Sequence, residues 1–348
     1  MINEKDISIV VQGPILKESK FGITNNITKT ACQRLRILFP ESELILSTWK
    51  GENIDDIVYD KVILNDDPGA TWFNYDDRKH VNNCNRLIVS TLAGIQSASR
   101  KYVLKVRSDL FLISKKFLKH FDTFPLYNEE IKFVKSRILA FSMWSIRGHK
   151  NCAFVMNKPF HISDWAYFGY KEDLLNLYEV PLIVEPEFSQ WFLNRCKNFH
   201  DVAPGVLWRM PPEQHITSSF LKKFLPINLE HTADDKDDNV GKSSELLMNN
   251  FMVLDQSQFF FVSLKHFCFQ FSRENHEWFI YHSTWLKNYC KNIRNLTKVN
   301  KLKLNIKIAS RISVFFLVNN TLRIINKNKN IISRSLAFFI KNFMKYER

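Results

Sequence analysis

The chain lacks any apolar stretch long enough to cross a bilayer. Its 348 residues nowhere approach the about 18 consecutive apolar residues of a membrane span. The longest run near the C-terminus, Ile312–Val318, is interrupted by Ser313. The opening MINEKDISIV has no basic segment, apolar stretch or small-residue cleavage site, so no secretory leader is expected. Six cysteines (Cys32, Cys84, Cys152, Cys196, Cys268, Cys290) stand apart without a CxxC pair. That argues against a thiolate zinc site or a disulfide framework and fits a reducing cytosol. The ten histidines show no HxH or HExxH spacing, so His161 and His215 are expected to be structural or, at most, assisting ligands or hydrogen-bond donors. No GxxxxGK[ST] occurs, which excludes P-loop chemistry.

Acidic residues are scarce at one end. Residues 290–348 carry 14 Lys/Arg and a single carboxylate side chain, Glu347. The preceding 289 residues hold 35 basic and 34 acidic side chains, so the formal charge of +14 belongs to the tail. From Asn295 onward, Lys and Arg alternate with Leu, Ile, Phe and Val. This is the profile of a basic amphipathic helical segment at an anionic membrane surface. The plainer reading is a helical subdomain with a solvated basic face. Nucleic acid is not an expected partner, because the core is charge-balanced and the tail carries no known aromatic–basic module.

What is present is an alternation of two periods. Ile7–Val11, Leu44–Leu46, Lys61–Leu64 and Tyr102–Val106 are short β-branched or apolar runs, read as buried strands. Thr24–Leu38 and Val81–Ser99 carry apolar residues at helical spacing. The pattern predicts an α/β fold with a mostly parallel sheet covered by helices on both faces. Farther on, Phe160–Tyr178 reads as a short strand, a Gly169 turn and a helix from Lys171. Pro186–Cys196 and Glu213–Phe224 read as further helices, and Asp234–Ser244 as a mobile loop. The expected division is a catalytic domain over 1–225, an extension of the core over 226–290 and the basic tail over 291–348.

Ligands of such sheets sit beyond the carboxyl ends of the strands. That rule selects Gln12-Gly13-Pro14, Ser47-Thr48-Trp49, Asn65 to Gly69 and Arg107-Ser108-Asp109. Taken singly, each is ordinary turn chemistry or a strand-end ion pair. Read together with Asn85-Arg86-Leu87-Ile88, and with Ile162 to Trp165 and Phe168-Gly169 later, they resemble the WavE-type lipopolysaccharide-synthesis family of bacterial glycosyltransferases. The likeness covers about the first two thirds of the chain.

The resemblance implies a GT-A-like, Rossmann-type enzyme moving a sugar from a nucleotide-sugar to a saccharide acceptor, lipid-linked, for lipopolysaccharide, O-antigen or capsule. It implies donor contacts from Gln12, Gly13, Pro14, Thr48, Trp49, Asp67, Arg86, Arg107 and Asp109. Asn85 is a weaker candidate. GT-A enzymes carry a DxD where this chain has Arg107-Ser108-Asp109. Either Asp109 ligates Mn²⁺ or Mg²⁺ with help from another side chain, or Arg107 itself pairs with the diphosphate. An inverting transfer needs a carboxylate base near the acceptor hydroxyl. Asp164, beside an aromatic turn, is the first candidate, with Glu187 and Glu213 as competitors. Work at the inner face of the cytoplasmic membrane is implied. The rival readings are a sugar nucleotidyltransferase, disfavoured by the single glycine of the first loop, and an inactive membrane-associated scaffold.

Overall fold

The structure is a computed structural model. It describes residues 2–75, 78–150, 155–193, 195, 208–266 and 279–293, and the single residues 302, 306, 334 and 338. The first half contains β1 (Ile7–Gln12), α1 (Ile27–Leu38), β2 (Glu43–Trp49), β3 (Lys61–Asn65), β4 (Thr71–Tyr75) and β5 (Arg78–Asn82). Then come α2 (Cys84–Ser97), β6 (Tyr102–Arg107), β7 (Leu110–Leu112), β8 (Ile138–Phe141), β9 (Gly148–Lys150) and β10 (Val155–Asn157). The remainder holds β11 (Ala166–Tyr170), α3 (Lys171–Tyr178), α4 (Pro212–Lys222) and α5 (Asn239–Asn250). It closes with β12 (Phe251–Leu254), α6 (Gln256–Phe259), β13 (Phe261–Ser263) and α7 (His282–Asn292).

Seven strands form one sheet in the order β12-β8-β11-β6-β1-β2-β3. All neighbours pair in parallel except β11, which runs antiparallel to both β6 and β8. This is the expected mostly parallel α/β sheet. All six residues of β1 are buried, and successive side chains point to opposite faces, so both faces are covered. That double burial is why β1 reads as continuously apolar rather than alternating.

Local chemistry sets the helix starts. Asn26 caps α1, its side chain accepting from the Lys29 amide at 2.9 Å. Ile27, Ala31 and Leu35 then fall on one buried face. Asn82 Oδ1 accepts from the Cys84 amide at 2.8 Å where α2 begins. Pro212 opens α4, at a position whose amide would have no partner in any case. Gly94 lets α2 sit close against the sheet: a Cβ there would lie 2.4 Å from Val10 Cγ1 and 3.1 Å from Ser47 Cβ.

Several expectations are corrected. Gly169 is not a turn but a residue of β11, held in extended form by two neighbouring strands. Residues 186–193 form successive turns instead of an α-helix, anchored where Glu185 accepts from the Ser189 amide at 3.0 Å. The segment 234–244 holds a short 3₁₀ turn and the start of α5, with Asn239 and Ser243 buried. The β4–β5 hairpin precedes α2, in a stretch expected to be loop and helix. The extension past 225 supplies β12, which pairs with β8 at one edge of the sheet. Of the tail, residues 291–293 belong to α7 and its end, and Leu302, Ile306, Arg334 and Phe338 are helical and exposed; the rest lies outside the described residues. Among the described residues no helix is long and apolar enough to cross a membrane.

Candidate functional site

A cavity of about 750 Å³ opens where the parallel strands end. Gln12, Gly13 and Pro14 after β1, Trp49 closing β2, and Arg107, Ser108 and Asp109 after β6 all line it. Asp67 and Arg86 add a second wall, and Asp164 and Glu213 a third. Ten of the residues expected at the site therefore converge on one space.

The first loop is fixed by its neighbours. Gly13 has a φ of +115°, a region that L side chains rarely adopt, and a Cβ there would approach Ser108 Oγ at 3.2 Å. The Gly13 amide donates to the Ser47 carbonyl at 3.1 Å, and the Ser108 amide to the Gln12 carbonyl at 2.9 Å. Ser108 Oγ donates to the Pro14 carbonyl at 2.8 Å. Gln12 is held from α2, where Ser90 Oγ lies 2.9 Å from its Oε1. These bonds tie the β1 and β6 loops to each other.

Arg107 and Asp109 form an ion pair, Nε donating to Oδ1 at 2.9 Å. The guanidinium lies over the Trp165 ring, 4.5 Å from its centroid. Burial pulls the Arg107 pKa down, but the charges of Asp109 and Asp164 outweigh it and hold the group above its ordinary value. The second Asp109 oxygen accepts from Ser263 Oγ at 2.5 Å. Burial would raise the Asp109 pKa, yet Arg107 and Ser263 hold it below the ordinary value. Asp109 is only 2% exposed at its side chain, whereas Arg107 keeps 24%. The fork of Arg107 is therefore fastened at Nε and open at its two terminal amino groups.

This geometry does not fit a divalent cation at Asp109. Both of its oxygens are engaged, a guanidinium abuts it, and a hard cation needs several oxygen ligands. Among the described residues no group of three or more His, Cys, Asp or Glu side chains comes together as a metal site.

Asp164 sits just before β11 with its residue almost wholly buried and its side chain on the cavity. Its carbonyl accepts from Lys105 Nζ, a donor rising from the middle of β6. Glu213, in the first turn of α4, has its pKa pushed up to about 8 by burial and by the charge of Asp164. It keeps some surface on the cavity, but protein walls surround it, so its carboxyl is desolvated like that of a buried group. Arg86 grips Asp67 with two parallel bonds, Nε to Oδ1 at 2.7 Å and Nη2 to Oδ2 at 2.5 Å. That bond holds the Asp67 carboxyl below its usual range.

Other expected residues fall elsewhere. Thr48 is fully buried in β2 and does not line the cavity, and its Oγ1 has no partner among the described residues. Glu187 is exposed and lies 4.0 Å from Arg195, outside the cavity. The Asn85 amide binds both the Ile183 amide and carbonyl, a structural task. His161 is buried, and burial pushes its pKa down to about 3. His215 Nε2 meets the Pro181 carbonyl at 2.9 Å. In return the cavity gains Trp72, Trp208 and Lys265, which carry no local sequence signal for this role. Trp72 arrives on the β4–β5 hairpin, and Lys265 on the turn after β13.

The fold and this cavity define an α/β protein with a polar, strand-end ligand site. The chain belongs to the WavE lipopolysaccharide synthesis family, whose sequence model matches residues 7–324. No curated protein is significantly similar to the chain. Solved structures resemble parts of it at low identity. A 4-diphosphocytidyl-2C-methyl-D-erythritol synthase from Anaerococcus prevotii matches at 16% identity and TM-score 0.32, over 55% of this chain and 84% of its own. A nucleoside-diphosphate-sugar pyrophosphorylase from Vibrio cholerae matches at 11% identity and TM-score 0.29, over 62% of this chain and 88% of its own.

Proposed function

We propose that the protein is a glycosyltransferase of lipopolysaccharide synthesis, moving a sugar from a nucleotide-sugar donor to a saccharide acceptor. One observation supports this reading most: the half-open fork of Arg107 shares a cavity with two carboxyl groups, Asp164 and Glu213. The cation suits a diphosphate that gains charge as it leaves. Among the described residues the Asp164 carboxylate has no hydrogen-bond partner, so it is free to take the proton of an acceptor hydroxyl in an inverting transfer. Trp49 and Trp72 line the same cavity, and an indole there would stack on the base or a sugar. Family membership supports the pathway, and the same transfer would serve O-antigen or capsule assembly.

In this scheme the Gly13 loop brings backbone close to the donor, Arg107 binds and orients the diphosphate, and Asp164 receives the proton. Glu213, protonated at neutral pH, donates a hydrogen bond to substrate rather than competing as the base. The acceptor would be lipid-linked, and the basic segment 295–348 would bring the site to the anionic inner face of the cytoplasmic membrane.

The test is calorimetric titration of the full chain with a panel of nucleotide-sugars, with and without Mn²⁺. Binding of one donor, followed by its slow hydrolysis or transfer, is expected. Asp164→Asn should keep donor affinity and lose about 10²- to 10⁴-fold in turnover. A protein that binds no donor under either condition would sink the transferase reading. Pyrophosphate release from a nucleoside triphosphate and a sugar phosphate would replace it with the nucleotidyltransferase one.

A further inference from the structure

We propose that two side-chain cations, Arg107 and Lys265, hold the donor diphosphate, and that Asp109 is the clasp that places both. This rests on the transferase reading and goes beyond it by assigning a diphosphate subsite that needs no metal.

The argument starts at Asp109. It lies between β6 and β7, and β7 pairs antiparallel with β13, bringing Ser263 opposite Leu110. Each of the three Asp109 oxygens then has its own partner. Oδ1 takes Arg107 Nε, Oδ2 takes Ser263 Oγ, and its carbonyl takes the Leu264 amide at 2.9 Å. Ser263 Oγ in turn accepts from the His266 amide at 3.1 Å, closing the turn that carries Lys265. The His266 ring stacks on Trp165, the same ring that supports the Arg107 guanidinium. One carboxylate and one indole thus set the spacing of the two cations.

Lys265 is exposed on the cavity wall and has no ion-pair partner among the described residues. Arg86, the other cavity arginine, is already neutralised by Asp67. Arg107 and Lys265 against Asp109 leave one net positive charge, the same as a divalent cation on a single aspartate. The electrostatic requirement of a leaving diphosphate is met with groups that are always present.

The experiment measures binding by the full chain of ADP, CDP, GDP, UDP and dTDP, and of the matching monophosphates, in excess EDTA. At least one diphosphate should bind, about tenfold or more tighter than its monophosphate. Lys265→Met should lower that diphosphate affinity by about ten- to a hundredfold, with little change for the monophosphate; Lys265→Arg should restore most of it. Ser263→Ala should weaken diphosphate binding in the same direction without removing either cation. Diphosphate binding that appears only when Mn²⁺ or Mg²⁺ is added would overturn this inference and leave the transferase reading standing. So would a Lys265→Met variant that binds as tightly as the native chain. Failure of every nucleotide with and without metal would overturn both.

Discussion

Lys105 Nζ donates to the main-chain carbonyl of Asp164 from a strand position with no exposed surface. The ammonium also faces the rings of Tyr167 and Tyr178, at 5.9 and 5.6 Å from their centroids. A charge in the centre of the sheet thereby fixes the residue proposed as base.

Burial lowers the Lys105 pKa to about 8 from 10.5. In the unfolded chain the amine stays protonated up to its ordinary value, so between about pH 8 and 10.5 the unfolded state binds more protons. Stability from this group therefore rises with pH across that window. Lys105→Met should remove the rise, seen as a flatter dependence of the urea midpoint on pH. The same variant should lower kcat while sparing donor affinity, because Asp164 loses its anchor. Unchanged kcat would remove Lys105 from the positioning of the base.

Glu213 gives the opposite slope. Its folded pKa near 8 lies above the ordinary 4.5, so the folded state holds a proton that the unfolded state releases. Stability from Glu213 is present below about pH 4.5 and is lost as pH rises toward 8. Glu213→Gln should abolish that loss and be the more stable protein at pH 8.5. Turnover of the native enzyme should fall above about pH 8, and the glutamine variant should lack that limb. A limb that persists in Glu213→Gln would assign it to another group.

Gly94 tests the seating of α2. Adding a methyl places it 2.4 Å from Val10 Cγ1, which overpacks the seam beneath Gln12 and Ser90. Gly94→Ala should cost about 1–3 kcal/mol in chemical denaturation. Val10→Ala opens space at that contact, so the double variant should be more stable than additivity allows. Strict additivity would disprove the proposed contact.

The sequence discloses the parts of this molecule whose structure follows from their own side chains. Strands β1, β2 and β6 carry apolar runs because they are buried on both faces, and α1 and α2 show their helical period; β3, expected to be buried as well, is the edge strand and is largely half-buried or exposed. The loops after those strands then fall in the right place by topology alone. Gly169 misleads because its turn-forming habit yields to the two strands that flank it. Lys265 is invisible for a related reason. Its role depends on Ser263 meeting Asp109 across 154 residues, and no local pattern encodes that meeting. Asp109 was legible as a strand-end residue of the site, and its pairing with Arg107 is local, but its second partner, Ser263, lies far beyond its own segment.

The late arrival of β12, β13 and the 263–266 turn bears on how the protein is made. A nascent chain that has reached residue 225 already holds every residue first expected at the cavity, yet β8 has no outer neighbour and Asp109 lacks Ser263. The ribosome must deliver about 40 more residues before the sheet edge is covered and the cations are set. Such long-range closure slows folding and leaves a bare strand exposed in the meantime.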